Sequence, residues 1–433
     1  MNANNKTLSI VNPNVLKILR GPLKEFYKKI ALFLTVVGNL GLLFYFKYFN
    51  FAVETFNKLF DKNVQFAKVI LPIGISFFTF QGLSYVVDVY RKDVPAQKNI
   101  FKLGMYISLF PQLVAGPIER SKNLLKQINE EHRFSYERMC DGLMLMVWGY
   151  FMKLVIADRI AIFVDNAYST KVLYDGRYLL LASVLFAFQI YCDFAGYSTI
   201  AIGAAKVLGF DLMENFDCPY FSETVAEFWR RWHISLSSWF RDYLYIPLGG
   251  NRKGKFRKYL NTMIVFLVSG LWHGANWTYV IWGGLNGIYQ VIGSALQPVK
   301  QWEMRRKIWK IPKILVTFVL VDFTWIFFRA DSLQQAGSVI DRIFHMNDPK
   351  LLANGMLFDL GLNKQNFVVI GVALCILLLA DLVKYNGVKM REVILNRNIV
   401  VRWGMILVAV AVILTFGIWG SGYEATNFIY FQF

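Results

Sequence analysis

Charged residues are scarce in this chain. They make up 18% of its 433 residues, whereas hydrophobic residues make up 56% and aromatic residues 17%. A soluble globular domain usually has about a quarter of its residues charged. The shortage of charge therefore argues against an ordinary soluble protein. A soluble chain of this length would usually fold into two or three domains, and that expectation does not apply here.

Cysteine is also rare, and several catalytic motifs are missing. The four cysteines are scattered in or beside apolar segments without a CxxC spacing, which indicates neither a disulfide framework nor a zinc site. The serine-hydrolase motif GxSxG, the zinc-protease motif HExxH and the phosphate-binding P-loop are absent. These absences argue against a hydrolase triad, a zinc protease and an ATP-driven pump. No bound cofactor or metal is expected.

The apolar residues are grouped in long runs that short charged loops separate. A helix needs about 20 apolar residues to cross roughly 30 Å of hydrocarbon, and a bilayer offers no water to unpaired backbone groups. We predict an all-α polytopic integral membrane protein with roughly nine or ten transmembrane or re-entrant helices, forming one domain over residues 1–433. The runs are Ile30–Phe46, Ala67–Val89, Leu103–Pro117, Leu143–Phe163, Tyr178–Gly209, Leu260–Leu296, Ile314–Phe328, Phe367–Lys384 and Val400–Trp419.

Basic residues outnumber acidic ones, 47 against 29, and the formal net charge is +18. They cluster in short loops, such as Arg252–Lys258 and Lys300–Lys313, which is typical of cytoplasmic loops that face anionic lipid. This pattern favours a lipid bilayer as the partner and disfavours nucleic acid. Residues 1–29 are polar and basic, and we predict that they form a cytoplasmic segment without a cleavable signal peptide.

The segment Ser222–Tyr245 has an unusual mixture of tryptophan, arginine and serine. Its apolar residues recur at helical spacing and its charged residues fall on the other side, so the pattern predicts an amphipathic helix. It is too polar to span the membrane alone, and we expect it to lie in the interface or to re-enter the membrane. His233 lies at the edge of the apolar stripe. An interfacial anchor with a structural histidine is the alternative interpretation.

The run Leu260–Leu296 lies between two basic loops. If both loops are cytoplasmic, the chain must enter the membrane and return between them. His273 follows Lys258 by about 22 Å along a helix, which places it deep in the membrane. An ionisable side chain at such depth is a candidate for a functional site, and a neutral histidine bonded to a neighbouring helix is the alternative.

Acyl transfer from a thioester to an alcohol needs a base for the hydroxyl group and stabilisation of an oxyanion. Histidine is the usual base, and the chain has only four histidines. His132 and His345 lie in loop-like contexts, which leaves His233 and His273 as the candidates. The buried-looking acids Asp193 and Asp322 either orient a histidine or pair with an arginine, and a structural role is favoured.

At these residues the sequence resembles the membrane-bound O-acyltransferase (MBOAT) superfamily, and within it the alginate O-acetyltransferase branch, which is related to the protein that D-alanylates teichoic acids. The resemblance covers nearly the whole chain in order. The matching stretches are GISFFTFQGLSYVVDVYR (Gly74–Arg91), LFPQLVAGPIER (Leu109–Arg120), QIYCDFAGYSTIAIGAA (Gln189–Ala205), FWRRWHISLSSWFRDYLYIPLGGNR (Phe228–Arg252), LVSGLWHGANWTYVIWGGLNG (Leu267–Gly287) and FIYFQF (Phe428–Phe433).

The resemblance implies catalytic roles for two histidines. His273 occupies the position of the family's characteristic histidine, and His233 that of the second histidine, in the RRWHISL motif. Tyr430, in the C-terminal aromatic hexapeptide, matches a tyrosine that relatives are thought to use as a transient acyl carrier, and an aromatic interfacial anchor is the alternative. Four residues in these motifs are expected to support the site, namely Arg231, Trp272, Asn276 and Asp193.

The resemblance also implies a setting for the reaction. The helices would form a ring with funnels entering from both faces, in the cytoplasmic (inner) membrane of a bacterium. Acetyl-CoA would be the donor, and an extracytoplasmic SGNH-type transferase would place the acetyl group on an envelope or secreted polysaccharide. Members of this branch usually carry further hydrophobic helices before the segment that starts near residue 28 here, so this chain is expected to lack them.

Two other functions compete with the enzyme. A transporter or flippase for a lipid-linked sugar would favour internal repeats and paired acids near the midplane, and the sequence shows no repeat. A non-enzymatic scaffold for glycan synthesis would make substitutions of the histidines silent. The concentration of motifs around His233 and His273 favours the acyltransferase.

Overall fold

A computed structural model describes residues 13–113, 116–169, 175–296, 309–345 and 356–419. Every regular element within these ranges is a helix, which confirms the all-α prediction. The predicted carrier Tyr430 and residues 1–12 of the predicted cytoplasmic segment lie outside the described residues. The interpretation of the chain as one domain, with a ring shape and two funnels, stays a prediction.

The α-helices are numbered here in chain order. Their bounds are α1 Pro13–Leu43, α2 Phe49–Phe60, α3 Ile75–Arg91, α4 Ile100–Ser108, α5 Ser121–Ile128, α6 Tyr136–Tyr150, α7 Asp158–Ala167, α8 Gly176–Val207, α9 Val225–Arg231, α10 Ile234–Phe240, α11 Gly254–His273, α12 Trp277–Ala295, α13 Lys310–Arg329, α14 Leu333–Phe344, α15 Lys364–Tyr385, α16 Met390–Leu395 and α17 Ile399–Phe416. Wider π-helical turns occupy Phe44–Tyr48, Phe151–Ala157 and Arg241–Tyr245. Short 3-10 turns occupy Pro219–Phe221 and Met356–Leu360.

Six continuous helical stretches of the described chain are long and apolar enough to cross a membrane, which agrees with a polytopic membrane protein. The larger number of passes predicted above stays a prediction. The stretches are Glu25–Phe60, Tyr136–Ala167, Gly176–Val207, Lys310–Arg329, Lys364–Tyr385 and Ile399–Phe416. The first of them includes a π-helical turn and extends the predicted run at Ile30–Phe46 in both directions.

The run Leu260–Leu296 is split into two helices, and two other predicted apolar runs contain long non-helical stretches. In Ala67–Val89, the helix starts only at Ile75, because Pro72 and a left-handed Gly74 interrupt the backbone before it. In Leu103–Pro117, helix α4 ends at Ser108 and the chain continues through turns that contain two prolines. Hydrophobicity predicted a membrane-spanning helix in each run but overestimated the length of the helices.

Helices α6 and α8 pack against each other through glycine. Gly142 lies against Gly203, and Gly149 lies against Gly196, so the two helices run in opposite directions. A Cβ atom on Gly149 would lie only 2.6 Å from the carbonyl oxygen of Gly196. In a membrane, small residues let helix backbones approach closely and gain van der Waals contact.

We expect Gly149→Ala to destabilise the protein, because a methyl group at this crossing forces the two helices apart. Overpacking of this kind usually costs about 1–3 kcal/mol. Gly38→Ala is the matched control, since a Cβ atom there meets nothing within 4 Å. The measurement is the melting temperature of each variant in detergent. Equal melting temperatures for the two variants would show that the glycine contact is dispensable.

Candidate active site

The segment around His233 is not the single amphipathic helix that its periodicity predicts. It is broken into α9 and α10, and His233 lies at the break with φ 45° and ψ 54°. A left-handed conformation is unfavourable for a residue with a Cβ atom, so neighbouring contacts must hold it. Asn215 supplies one of them, since its backbone oxygen accepts a hydrogen bond of 2.9 Å from the Ile234 amide.

The side chain of Asn215 holds the His233 ring. His233 is fully buried, and its Nδ1 lies 3.2 Å from Asn215 Oδ1. The same oxygen accepts hydrogen bonds from the Ser235 backbone amide at 3.1 Å and from the Ser235 hydroxyl at 2.9 Å. Because a backbone amide can only donate, this Asn215 atom is the acceptor oxygen, and we infer that His233 Nδ1 carries the hydrogen. The lone pair of the neutral imidazole is then on Nε2.

His273 is oriented by its own helix. It is the last residue of α11, its side chain is buried, and its Nδ1 lies 2.7 Å from the carbonyl oxygen of Ser269. A carbonyl oxygen only accepts hydrogen bonds, so Nδ1 is protonated and the lone pair of the neutral ring is again on Nε2. Helices α11 and α12 form a hairpin, which agrees with the expected entry and return of the chain within Leu260–Leu296. Gly283 allows the close contact, because a Cβ atom there would lie 2.3 Å from the Phe266 carbonyl oxygen.

The fold brings the two imidazoles together. Their ring centroids are 6.4 Å apart and their planes are inclined by 79°. Both rings are buried, and both are held at Nδ1 by an acceptor of the protein. The arrangement offers two neutral bases, each with its basic nitrogen at Nε2, in one enclosed place.

Aromatic side chains form the wall around this imidazole pair. The ring centroids of Trp272 and Trp282 lie 5.0 Å and 4.9 Å from that of His273, and Phe194 lies 4.6 Å from His233. Both tryptophans are buried, and neither indole nitrogen has a hydrogen-bond partner among the described residues. Because apolar walls exclude water, nearby hydrogen-bond donors stabilise a negative charge that develops between the walls more strongly than they would in water.

Three predicted supporting residues have structural contacts. Asn276 caps α12, where its side-chain oxygen accepts from the Thr278 amide at 3.1 Å. Arg231 forms ion pairs with Glu227 at 3.0 Å and with Asp217 at 3.3 Å. Asp193 forms a buried ion pair with Lys153 at 2.6 Å, and Lys153 also contacts Asp158 at 2.7 Å.

Several residues that hold the site were not found from the sequence. Asn215 is in a loop, and only the fold shows that it supports His233. Lys47 lies near the N-terminus, yet it contacts the end of α11 at His273. The carbonyl of Ser269 is the exception, because a residue four positions earlier on a helix is a predictable neighbour of His273.

The other two histidines lie away from this pair. His132 Nε2 donates a bond of 2.8 Å to the Gln127 carbonyl oxygen, and His345 pairs with Asp341 at an exposed helix end. Acid, cysteine and histidine side chains do not form a group of three suited to a metal within the described part of the chain.

A family model described as MBOAT, membrane-bound O-acyltransferase family, matches residues 95–328, which include both buried histidines. The chain belongs to the MBOAT family. The resemblance seen in the motifs is therefore confirmed, and the MBOAT chain is a membrane-embedded multi-pass protein of an acyltransferase family.

Several named bacterial proteins are similar to the MBOAT chain. It is 41% identical to a probable alginate O-acetylase of Pseudomonas aeruginosa over 318 residues, which cover 72% of this chain and 60% of that protein. It is 34% identical to a peptidoglycan O-acetyltransferase of Helicobacter pylori over 75% of this chain and 66% of that protein. A teichoic acid D-alanyltransferase of Bacillus subtilis is more distant, at 27% identity over 59% of this chain and 68% of that protein. The chain thus spans less than two thirds of the length of the acetylating relatives.

We expect Asn215→Ala to lower stability, because it leaves the buried His233 Nδ1 and the Ser235 amide without an acceptor. Each such unsatisfied group costs about 1–3 kcal/mol. Asn39→Ala is the control, since Asn39 only donates to the Thr35 carbonyl of its own helix. The check is thermal unfolding in detergent, with Asn215→Ala melting well below the control. A melting temperature at the level of the control would contradict the bonding scheme.

Proposed function

We propose that this protein transfers an acetyl group from cytosolic acetyl-CoA across the bacterial inner membrane, for O-acetylation of an envelope or secreted polysaccharide. The observation that carries the proposal is the buried pair of imidazoles, which lies inside the region that matches the MBOAT family. The relatives named for acetylation of alginate and peptidoglycan support acetyl as the group and an alginate-like or peptidoglycan-like polymer as its destination.

Each acyl transfer needs one general base. A hydroxyl oxygen attacks the thioester carbonyl carbon while Nε2 of His273 removes the hydroxyl proton. The tetrahedral intermediate then collapses, the carbon–sulfur bond breaks, and the proton passes from the imidazolium to the departing thiolate of CoA. The products are an ester and free CoA. His233, with its own Nε2 basic, is suited to the same task for a second transfer or to orienting the hydroxyl group.

The oxyanion of this intermediate needs hydrogen-bond donors that are already in place. The indole N–H groups of Trp272 and Trp282 are buried beside His273 and have no partner among the described residues. An indole nitrogen can only donate. We therefore assign the two tryptophans as candidate donors to the oxyanion, which gives Trp272 a more specific role than the supporting one predicted from its motif.

The transfer must end on the far side of the membrane. In this proposal Tyr430 receives the acetyl group as an aryl ester and passes it to an extracytoplasmic SGNH-type partner, which acetylates the polysaccharide. The membrane-spanning helices provide the route of the acetyl group through the bilayer. The transporter and scaffold alternatives receive no support from membership of an acyltransferase family.

We expect the protein in nanodiscs to become labelled by radioactive acetyl-CoA, and His273→Ala to abolish the label because it removes the base. Tyr430→Phe should also abolish stable labelling, since it removes the proposed acceptor hydroxyl. The measurement is protein-bound radioactivity after denaturing electrophoresis.

His345→Ala serves as the matched control for these variants, because His345 is exposed at the end of α14. Label that persists in Tyr430→Phe but not in His273→Ala would retain the enzyme and exclude the tyrosine carrier. Labelling and thioester turnover that do not depend on His273, in protein shown to be folded, would refute the acyltransferase.

We expect Trp282→Phe to reduce kcat by about a hundredfold, because it keeps an aromatic ring but removes a donor to the oxyanion. The control is Trp229→Phe, since the Trp229 indole already donates to Asn286 at 3.1 Å. Release of free CoA thiol, normalised to folded protein, is the readout. A loss of equal size in both variants would indicate damaged packing rather than a lost donor.

A further inference from the structure

The C-terminal turn of α11 is bonded to side chains from another helix. The last four carbonyl groups of a helix have no partners within the helix itself. Here Gly270 O accepts from the Gly274 amide at 3.3 Å, and the next carbonyl, Leu271 O, accepts from the Tyr48 hydroxyl at 2.9 Å. The final two belong to Trp272 and His273, and both accept from one ammonium group.

That ammonium group is Lys47, in the π-helical turn Phe44–Tyr48. Its Nζ lies 2.8 Å from Trp272 O, 3.1 Å from His273 O and 3.3 Å from Ser76 Oγ on α3. The three acceptors use all three N–H groups of the lysine. Lys47 therefore ties together three separate helical segments at the position where His273 sits.

Burying the charged ammonium group of Lys47 costs free energy. All three acceptors are uncharged, and a lysine within a membrane-spanning stretch carries a desolvation cost. The negative end of the α11 dipole offsets part of that cost, because a cation is favoured at a helix C-terminus. The π-helical turn changes the helical register locally, and such turns often occur at functional sites.

We propose that Lys47 is a positioning residue for acyl transfer, which fixes the end of α11 so that the His273 imidazole stays aligned with that of His233. The inference rests on the acyltransferase activity proposed above. Lys47 does not act on the substrate directly, because its three donors are already engaged. It also lies outside residues 95–328, the region that the family model matches.

The physical effect concerns the geometry of one side chain. The His273 ring is held at Nδ1 by Ser269 within α11, so its position follows the position of the last helical turn. Loss of the lysine frees two carbonyls at that turn and lets it fray, as helix ends do. A base displaced by about 1 Å can lose about a hundredfold in rate while substrate binding is little changed.

The test compares Lys47→Met, Lys47→Arg and Lys58→Met with wild type, using the full chain in nanodiscs and release of CoA thiol from acetyl-CoA. Lys58 is the matched control, since it is exposed on α2 and pairs only with Glu54 at 2.6 Å. We expect Lys47→Met to lower kcat about 10- to 100-fold with KM for acetyl-CoA changed less than about twofold. Lys47→Arg should recover most of kcat, because it keeps a charged donor, and Lys58→Met should match wild type.

Each kcat is normalised to folded protein, with a melting curve for every variant. Wild-type kcat in Lys47→Met, or equal losses in Lys47→Met and Lys47→Arg, would overturn the positioning role. If Lys47→Met does not fold, Lys47→Gln replaces it. Glutamine is shorter and has only two N–H donors for the three acceptors, so a partial loss of kcat is expected, and kcat at the wild-type level would again overturn the proposal.

His273→Ala separates this proposal from the function on which it rests. Turnover that His273→Ala abolishes but Lys47→Met leaves intact removes only the positioning role. Turnover that is absent in wild type, or unaffected by His273→Ala, removes the acyltransferase and the positioning role together.

Discussion

Because a membrane interior holds little water, a buried polar group is stabilised strongly when it finds a partner within the protein. The two imidazoles obey this constraint at Nδ1, where Asn215 and the Ser269 carbonyl accept their hydrogens. Lys153, in the π-helical turn Phe151–Ala157, obeys it by pairing with Asp158 on α7 and Asp193 on α8. Because these bonds leave the rings little rotational freedom, the same constraint that keeps the helices together also orients the candidate catalytic groups.

Irregular backbone is concentrated where the candidate chemistry lies. His233 occupies a left-handed break between α9 and α10, and His273 ends α11 just before a short connection to α12. The two rings at these interruptions have centroids only 6.4 Å apart. Helices α6 and α8, by contrast, meet through close glycine contacts between helical backbones.

The prediction from sequence succeeded for features that a short stretch of the chain is enough to indicate. Long apolar runs predicted helices, the basic loops predicted the hairpin that contains His273, and the motifs around both histidines predicted the MBOAT family. The prediction was less accurate where the backbone changes direction within an apolar pattern. Periodicity gave a continuous helix through His233, because the spacing of apolar residues on each side does not report the left-handed turn between them.

The sequence by itself determined the class of the protein, its helical and membrane-embedded character and the two histidines as the candidate bases, because hydrophobicity and short motifs are local properties. Only the tertiary structure decided which atoms hold those bases. Asn215 and Lys47 are distant from their histidines along the chain, and nothing in their immediate neighbours indicates a partner. Such contacts arise when whole helices pack, so they depend on the sum of many weak interactions rather than on any pattern that can be recognised locally.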